Sequence, residues 1–332
     1  METLSAANTS FAVDFFKHLC KTQTNTNVLF SPWSISSVMA TLYSGAKGHT
    51  AEQIAKVSFD LILTESNIHS RFQALNQEIN KSTKNVLLSN VNQLYGDKSV
   101  SFQRVIEPQT VNFQETADDA RKEINEWVEQ QTAGKFQIFG QAFIKKLAFL
   151  TLSLTIFYSM QAFGSKNLPN QAKQARQIEL PHSHYRFIQD LSIYITQSLE
   201  NKLTYEAFSK WTSPKEMEEV EANVHLPKMQ LNIHYELKPL LTNMGITDAF
   251  NAEMADFTGV SAESNLGVSQ IFHKCFVDIN EEGTEAAAST AGSIDGRSDQ
   301  GAILFAADHP FLFFIRHNKT KNILFWGKFC SP

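Results

Sequence analysis

The stretch Glu281-Glu282-Gly283-Thr284-Glu285-Ala286-Ala287-Ala288-Ser289-Thr290-Ala291-Gly292, continuing as Ser293-Ile294-Asp295-Gly296-Arg297-Ser298, decides the reading of this chain of 332 residues. With the period of two of a strand, Thr284, Ala286, Ala288 and Thr290 share one face, and Glu285, Ala287, Ser289 and Ala291 share the other. The first face is small and uncharged, so existing strands can enclose it without overpacking. The only charge lies on the second face. The same alanine-rich run has good helix propensity, so Glu281 to Ala291 is competent for helix as well. That double competence suits a segment with more than one conformation. Beyond it, Gly292, Ser293, Asp295, Gly296, Ser298, Asp299 and Gly301 make a polar, glycine-rich loop. Arg297 is the only Lys or Arg between Glu281 and His309. A protease pocket with a carboxylate at its base would take it. Taken alone, the segment reads as a surface loop with an incidental arginine, because short motifs are weak evidence.

The flanks narrow that choice. Phe30-Ser31-Pro32-Trp33-Ser34-Ile35-Ser36-Ser37, Gly45-Ala46-Lys47-Gly48-His49-Thr50 and Gln53 resemble the N-terminal signature of the serpins. Val91-Asn92-Gln93-Leu94-Tyr95-Gly96 resembles an early strand of that family's large sheet, and Ala120 to Val128 the helix crossing it. Val224-His225-Leu226-Pro227-Lys228 resembles a later strand. Met244 to Phe250 resembles a family turn and helix. His273-Lys274 through Thr284 resembles the strand that enters the reactive loop, and Ile323 to Phe329 the closing strand. The resemblance covers residues 1–138 and 199–332 and is strongest to the ovalbumin-like, intracellular branch. Gly296-Arg297 and the start Ala7-Asn8-Thr9 also resemble members of that branch.

The resemblance implies an α+β fold with a large mixed, mainly antiparallel sheet, two smaller sheets, several helices and an exposed reactive loop near the C-terminus. It implies a serine protease inhibitor and not an enzyme, with no catalytic residues of its own. The scissile bond would be Arg297-Ser298. Glu282, Gly283, Thr284, Glu285, Ala286, Ala287 and Ala288 would form the hinge, and Ser31, Ser34 and His273 a gate beneath the insertion site. The protease serine would attack the Arg297 carbonyl to form an acyl-enzyme. The severed loop would then enter the sheet as a new strand, a known instance of strand addition and strain release. The implied partner is a trypsin-like serine protease, plasminogen-activator-like enzymes among them.

Composition fits a single domain spanning residues 1–332. Apolar residues make up 42% of the chain, with 26 Phe, and no linker or internal repeat divides it. A net charge of −5 carries no basic cluster that would select nucleic acid or membrane. Three widely spaced cysteines, Cys20, Cys275 and Cys330, argue for a reducing compartment. No metal-ligand spacing and no cofactor motif is present. Phe11 to Leu19 is interrupted by Asp14, Lys17 and His18, so it reads as an amphipathic helix and not a cleaved signal. The expectation is a cytoplasmic monomer, with export to the extracellular space without a cleaved signal open to it as to other members of its branch. Asn8-Thr9-Ser10, Asn80-Lys81-Ser82 and Asn318-Lys319-Thr320 match the glycosylation pattern. No Gly-x-Ser-x-Gly elbow or phosphate loop supports an enzyme. Trp127 and Trp211 read as packing residues, and Phe311 to Phe314 as a core strand.

The middle departs from the family. Between Gly96 and Val111 the chain is too short for the expected helix and edge strand. From 139 to 199 the central-strand pattern Asn–aromatic–Phe–x–Gly–x–Trp is absent, so the gate lacks its Asn. In its place stands Leu147-Ala148-Phe149-Leu150-Thr151-Leu152-Ser153-Leu154-Thr155-Ile156-Phe157-Tyr158. From Leu150 it alternates Leu with Thr or Ser, a strand signal. It reads as a substitute central strand, as foreign sequence from altered splicing, or as a membrane segment, for which twelve residues are short of the roughly 20 needed. If the centre of the sheet is lost, Arg297 becomes an ordinary cleavage site in a serpin-fold protein that no longer inhibits.

Overall fold

The computed structural model describes residues 2–59, 68–79, 86–103, 108–131, 149–159, 199–200, 202–213, 222–225, 227–262, 266–279, 303–317 and 319–331. Within them the chain runs α1 (Glu2–Thr22), β1 (Val28–Phe30), α2 (Pro32–Gly45), α3 (Gly48–Phe59), α4 (Ile68–Ile79), β2 (Val86–Asp97), β3 (Gln109–Val111), α5 (Ala117–Gln131) and β4 (Phe149–Ser159). It continues α6 (Tyr205–Trp211), β5 (Ala222–His225), β6 (Met229–Glu236), α7 (Leu237–Met244), a 3₁₀ turn (Asp248–Phe250), β7 (Gln270–Ile279), β8 (Ile303–Ala306), β9 (Phe311–His317) and β10 (Asn322–Phe329). The strands form three sheets, a five-stranded one in the order β3-β2-β4-β7-β6, a three-stranded one in the order β1-β10-β9, and a parallel pair β5-β8.

The rewritten middle of the chain supplies the centre of the large sheet. β4 pairs antiparallel with β2 from Val86↔Ser159 to Gly96↔Phe149. On its other side it pairs parallel with β7 from Leu150↔Gln270 to Tyr158↔Asp278. A ladder needs backbone groups, length and the absence of Pro, and Phe149–Ser159 meets all three. Of the three readings the sequence left open, the substitute central strand describes what residues 149–159 do. The expectation of a missing edge strand is corrected as well. Gln109–Val111 pairs parallel with Tyr95 to Asp97, short as it is. Asp97 ties the two strand ends together. Its carboxylate accepts from the Ser99 backbone N–H (2.9 Å), the Ser99 hydroxyl (2.6 Å) and the Phe113 N–H (2.8 Å). Burial pushes that carboxyl up, but these bonds outweigh it and hold the group below the usual aspartate range.

The core lies between the sheets and α1–α4. On α1, Leu4, Phe11, Phe15, Phe16 and Leu19 are buried, the spacing of an amphipathic helix. Trp33 stacks on Phe72 at 4.7 Å between ring centroids, and its indole N–H reaches Asn76 Oδ1 at 2.8 Å. Trp127 meets Tyr95 edge-on at 6.2 Å, which seats α5 on the large sheet. Phe311 to His317 is a strand as expected, though Phe314 is 38% exposed, so that strand is only partly core.

The signature blocks turn out to be joints. Gln53 on α3 accepts the backbone N–H groups of Thr247 and Asp248, both at 2.9 Å, and so caps the 3₁₀ turn. Gly245 ends α7 with φ +113°, while the N–H of Ile246 returns to Leu241. A Cβ on Gly259 would sit 2.8 Å from the Gly45 carbonyl oxygen, so this crossing tolerates no side chain. Of the three glycosylation triplets, Asn8 is 1% exposed, donates to the Ile323 carbonyl and accepts from Ser36. The folded chain offers no acceptor there. Asn80 and Asn318 lie outside the described residues.

Candidate functional site: the seam of the large sheet and its gate

The start of α2 is set by Ser31-Pro32. Ser31 is the N-cap, with its hydroxyl accepting the Ser34 N–H at 3.2 Å, and Pro32 occupies the first helical position, where a missing N–H is harmless. This helix end points at the centre of the large sheet. The backbone N–H of Ser31 donates to Nε2 of His273 on β7 at 2.9 Å, and both residues are fully buried. A backbone N–H can only donate, so Nε2 carries no proton and the ring proton sits on Nδ1. Cys275 Sγ lies 3.0 Å from the same Nε2. The Ser34 hydroxyl donates to Asn92 Oδ1 on β2 at 2.9 Å.

Strand register places these groups in one row. Asn92 stands opposite Ser153, Ser153 opposite His273, and His273 opposite Tyr235. Tyr235 closes the row on β6, where its hydroxyl receives the Leu29 N–H at 3.4 Å, and burial pushes its phenol pKa up. The residues before α2 are thus held by β6 and β7 together. On the sheet, β4 and β7 are directly paired, so no strand lies between them. This is the one parallel ladder among the three internal joins of β2, β4, β7 and β6.

The structure brings Ser31, Ser34 and His273 together. Asn92, on the neighbouring strand, takes up the Ser34 hydroxyl. Asn92, Cys275 and Tyr235 escaped the sequence reading. Asn92 lay inside a quoted motif, but no local pattern marks it, since Leu94 shares its strand face. The hinge residues Glu282 to Ala288 and the bond Arg297-Ser298 lie outside the described residues.

Comparison with known proteins shows the family. The family described as serpin (serine protease inhibitor) matches residues 6–161 and 169–332. The chain belongs to the serpin family. The match extends well into 139–199, further than the motif wording reaches. This serpin is 37% identical to plasminogen activator inhibitor 2 of Homo sapiens over 420 aligned positions, with all of both chains covered. It is 38% identical to the leukocyte elastase inhibitor of Equus caballus over 382 positions, again with full coverage of both. An alignment of 420 positions for 332 residues means that the first relative carries segments with no counterpart here. Among solved structures, uncleaved ovalbumin superposes with a TM-score of 0.81 at 28% identity, covering 99% of this chain and all of ovalbumin. A tumour suppressing serpin does so with a TM-score of 0.80 at 27% identity over all of both chains.

Proposed function

We propose that this serpin inhibits trypsin-like serine proteases as a suicide substrate, cut at Arg297-Ser298, with the severed loop entering the large sheet between β4 and β7. The observation that carries the reading is the closed parallel seam between those strands. β7 ends at Ile279, and the chain beyond it must reverse to return alongside the sheet. A returning strand is antiparallel to β7, and because β4 and β7 are parallel it is antiparallel to both. Insertion thus replaces one parallel ladder with two antiparallel ones, the slightly more stable pairing per residue. Residues 280–297 are enough to turn and still run beside the 11 residues of β4. The small face of Thr284, Ala286, Ala288 and Thr290 fits the packed side of the sheet, and Glu285 the other. The gate of Ser31, Ser34, Asn92 and His273 spans the seam from α2 and must give way as the strand enters. Arginine before the bond selects proteases with an acidic specificity pocket. The site of action is the cytoplasm, with the extracellular space reached without a cleaved signal.

The test is to mix the purified chain with active trypsin and with urokinase, then compare denaturing gels with mass spectrometry of the released peptide. A complex that survives denaturation, with a released peptide beginning at Ser298, is the expected result. Clean cleavage at Arg297 without a complex overturns inhibition and leaves a serpin-fold substrate in its place.

A further inference from the structure

Lys328 is the one buried lysine or arginine among the described residues. It stands on β10, whose eight residues are all buried, so the strand is covered on both faces and its single charge must be satisfied from within. The ammonium ends just past the last residue of α1, Thr22. It donates to the Gln23 and Thr24 carbonyls at 3.2 and 2.9 Å and to Glu200 Oε1 at 3.2 Å. Carbonyls near a helix C-terminus, together with a carboxylate, are the partners a buried cation needs.

The same ammonium meets a thiol. Cys20, in the last turn of α1, places Sγ 3.9 Å from Lys328 Nζ and also hydrogen-bonds Glu200. Cys20 is 8% exposed and the Glu200 side chain 12%, so the sulfur touches solvent only at its edge. A thiol, an amine and a carboxylate thus share one closed corner, joining the end of α1 to the last strand. Cys330, just after that strand, has partners of its own. Its N–H donates to Asn27 Oδ1 at 2.6 Å, and its sulfur meets the Thr26 carbonyl at 3.5 Å.

We propose that Cys20 and Lys328 are a site of reversible oxidative cross-linking, at which hydrogen peroxide joins the sulfur to the amine nitrogen. Peroxide takes two electrons from the Cys20 thiol and leaves a sulfenic acid and one water. The Lys328 ammonium passes a proton to Glu200, and its nitrogen displaces the sulfenic hydroxyl, which departs with a second proton as water. Glu200 returns its proton to solvent. One thiol, one ammonium and one peroxide become one S–N bond, two waters and one proton. A sulfenic acid condenses with a thiol or with a nitrogen. Here the nitrogen is already beside the sulfur, whereas a thiol from solution would have to enter a buried site. Burial, with Glu200 beside it, keeps Cys20 a thiol at neutral pH, so the first step is slow and calls for peroxide in excess. Small thiols reverse the link, regenerating both side chains and leaving a disulfide. The bond ties residue 20 to residue 328, closing nearly the whole chain into one loop, the kind of link that stabilises most through the unfolded state. No residue of the reactive loop or gate takes part, so the proposal is independent of the protease reading.

The test treats the full chain with millimolar hydrogen peroxide and digests it with pepsin, with and without dithiothreitol, for mass spectrometry. A peptide pair joined through Cys20 and Lys328, two hydrogens lighter than its parts and separated by dithiothreitol, is expected in the parent and in Cys330→Ser alike. Lys328→Arg keeps the charge and removes the amine, and Cys20→Ser removes the sulfur. Each should leave the two peptides unlinked, with circular dichroism checking the fold. The linked protein should melt roughly 5 °C higher until it is reduced. A Cys20–Cys330 disulfide, a pair carrying an extra oxygen, or Cys20 oxidised to sulfinic acid with Lys328 unmodified overturns the bond. So does a linkage that persists in Lys328→Arg. An unchanged melting temperature in the linked protein overturns its action as a staple.

Discussion

Replacing His273 with leucine tests the gate at its best-defined bond. The Ser31 N–H is fully buried and points at His273 Nε2 from 2.9 Å. Leucine has nearly the volume of histidine, so the cavity contribution is small and the loss is that of the ring's polar contacts, the acceptor for Ser31 N–H among them. A buried donor deprived of its partner costs about 1–3 kcal/mol. Urea unfolding followed by tryptophan fluorescence should show a lower midpoint with an unchanged slope, equivalent to about 1–3 kcal/mol. The loss should also be local. Amides of β4 and β7 should exchange with solvent about 5- to 150-fold faster, the same range of free energy expressed as an opening equilibrium. Glutamine can place an oxygen near the position of Nε2, so His273→Gln should recover more than half of both effects. A leucine variant within about 0.5 kcal/mol of the parent, or a glutamine variant as weak as the leucine one, would refute the claim that this bond holds the seam.

Other perturbations separate loop, hinge and scaffold. Arg297→Ala should abolish inhibition of trypsin and urokinase without moving the unfolding midpoint, and undiminished inhibition would move the scissile bond elsewhere. Thr284→Arg should convert the inhibitor into a substrate, because insertion would bury an unpaired cation; unaltered complex formation on gels would show that this face stays exposed. Lys328 is 1% exposed and contacts Glu200 (3.2 Å) and the Gln23 and Thr24 carbonyls (3.2 and 2.9 Å), so Lys328→Met should cost about 3–5 kcal/mol. Adding Glu200→Leu should restore much of that in denaturant unfolding, and no recovery would place the loss outside the pair. Burial, with Glu200 beside it, pushes the Cys20 thiol up to about 12 from 9.0. The unfolded chain therefore loses this proton first, so stability from this group is full below pH 9 and declines as pH rises toward 12. Cys20→Ala should reduce the alkaline slope of stability by up to about 1.4 kcal/mol per pH unit, and an identical slope would exclude this thiol as its source.

How far the sequence could be read depended on where each piece of information lies. The period of Phe11, Phe15, Phe16 and Leu19 and the cap Ser31-Pro32 are local, and α1 and α2 follow from them. Ser31, Ser34 and His273 were recognisable as a set only by resemblance, because 242 residues separate Ser31 from His273 and no local signal joins them. Asn92 was missed for the same reason. Its partner Ser34 lies 58 residues away on α2, and nothing local joins the two. Gln53 is quoted in the signature, yet nothing in the sequence says that it caps Thr247 and Asp248. The short strand Gln109–Val111 carries too few residues for an alternation signal and exists because β2 offers it an edge.

The rewritten centre shows why sheet and gate respond differently to sequence change. A ladder is made by backbone groups that every residue but proline carries, so an alternating run such as Leu150-Thr151-Leu152-Ser153-Leu154-Thr155 can replace a family strand wholesale and keep both pairings. A side-chain network has no such tolerance, since each bond needs one atom at one place. The described bonds run to Asn92 on β2, His273 on β7 and Tyr235 on β6, and register places Ser153 of β4 in the same row. Ladder and side-chain bonds are thus separate supports of the same seam. It follows that loop and scaffold can fail separately. Loss of gate bonds should loosen the seam while Arg297 is still cut, whereas loss of Arg297 should leave the seam as stable as before.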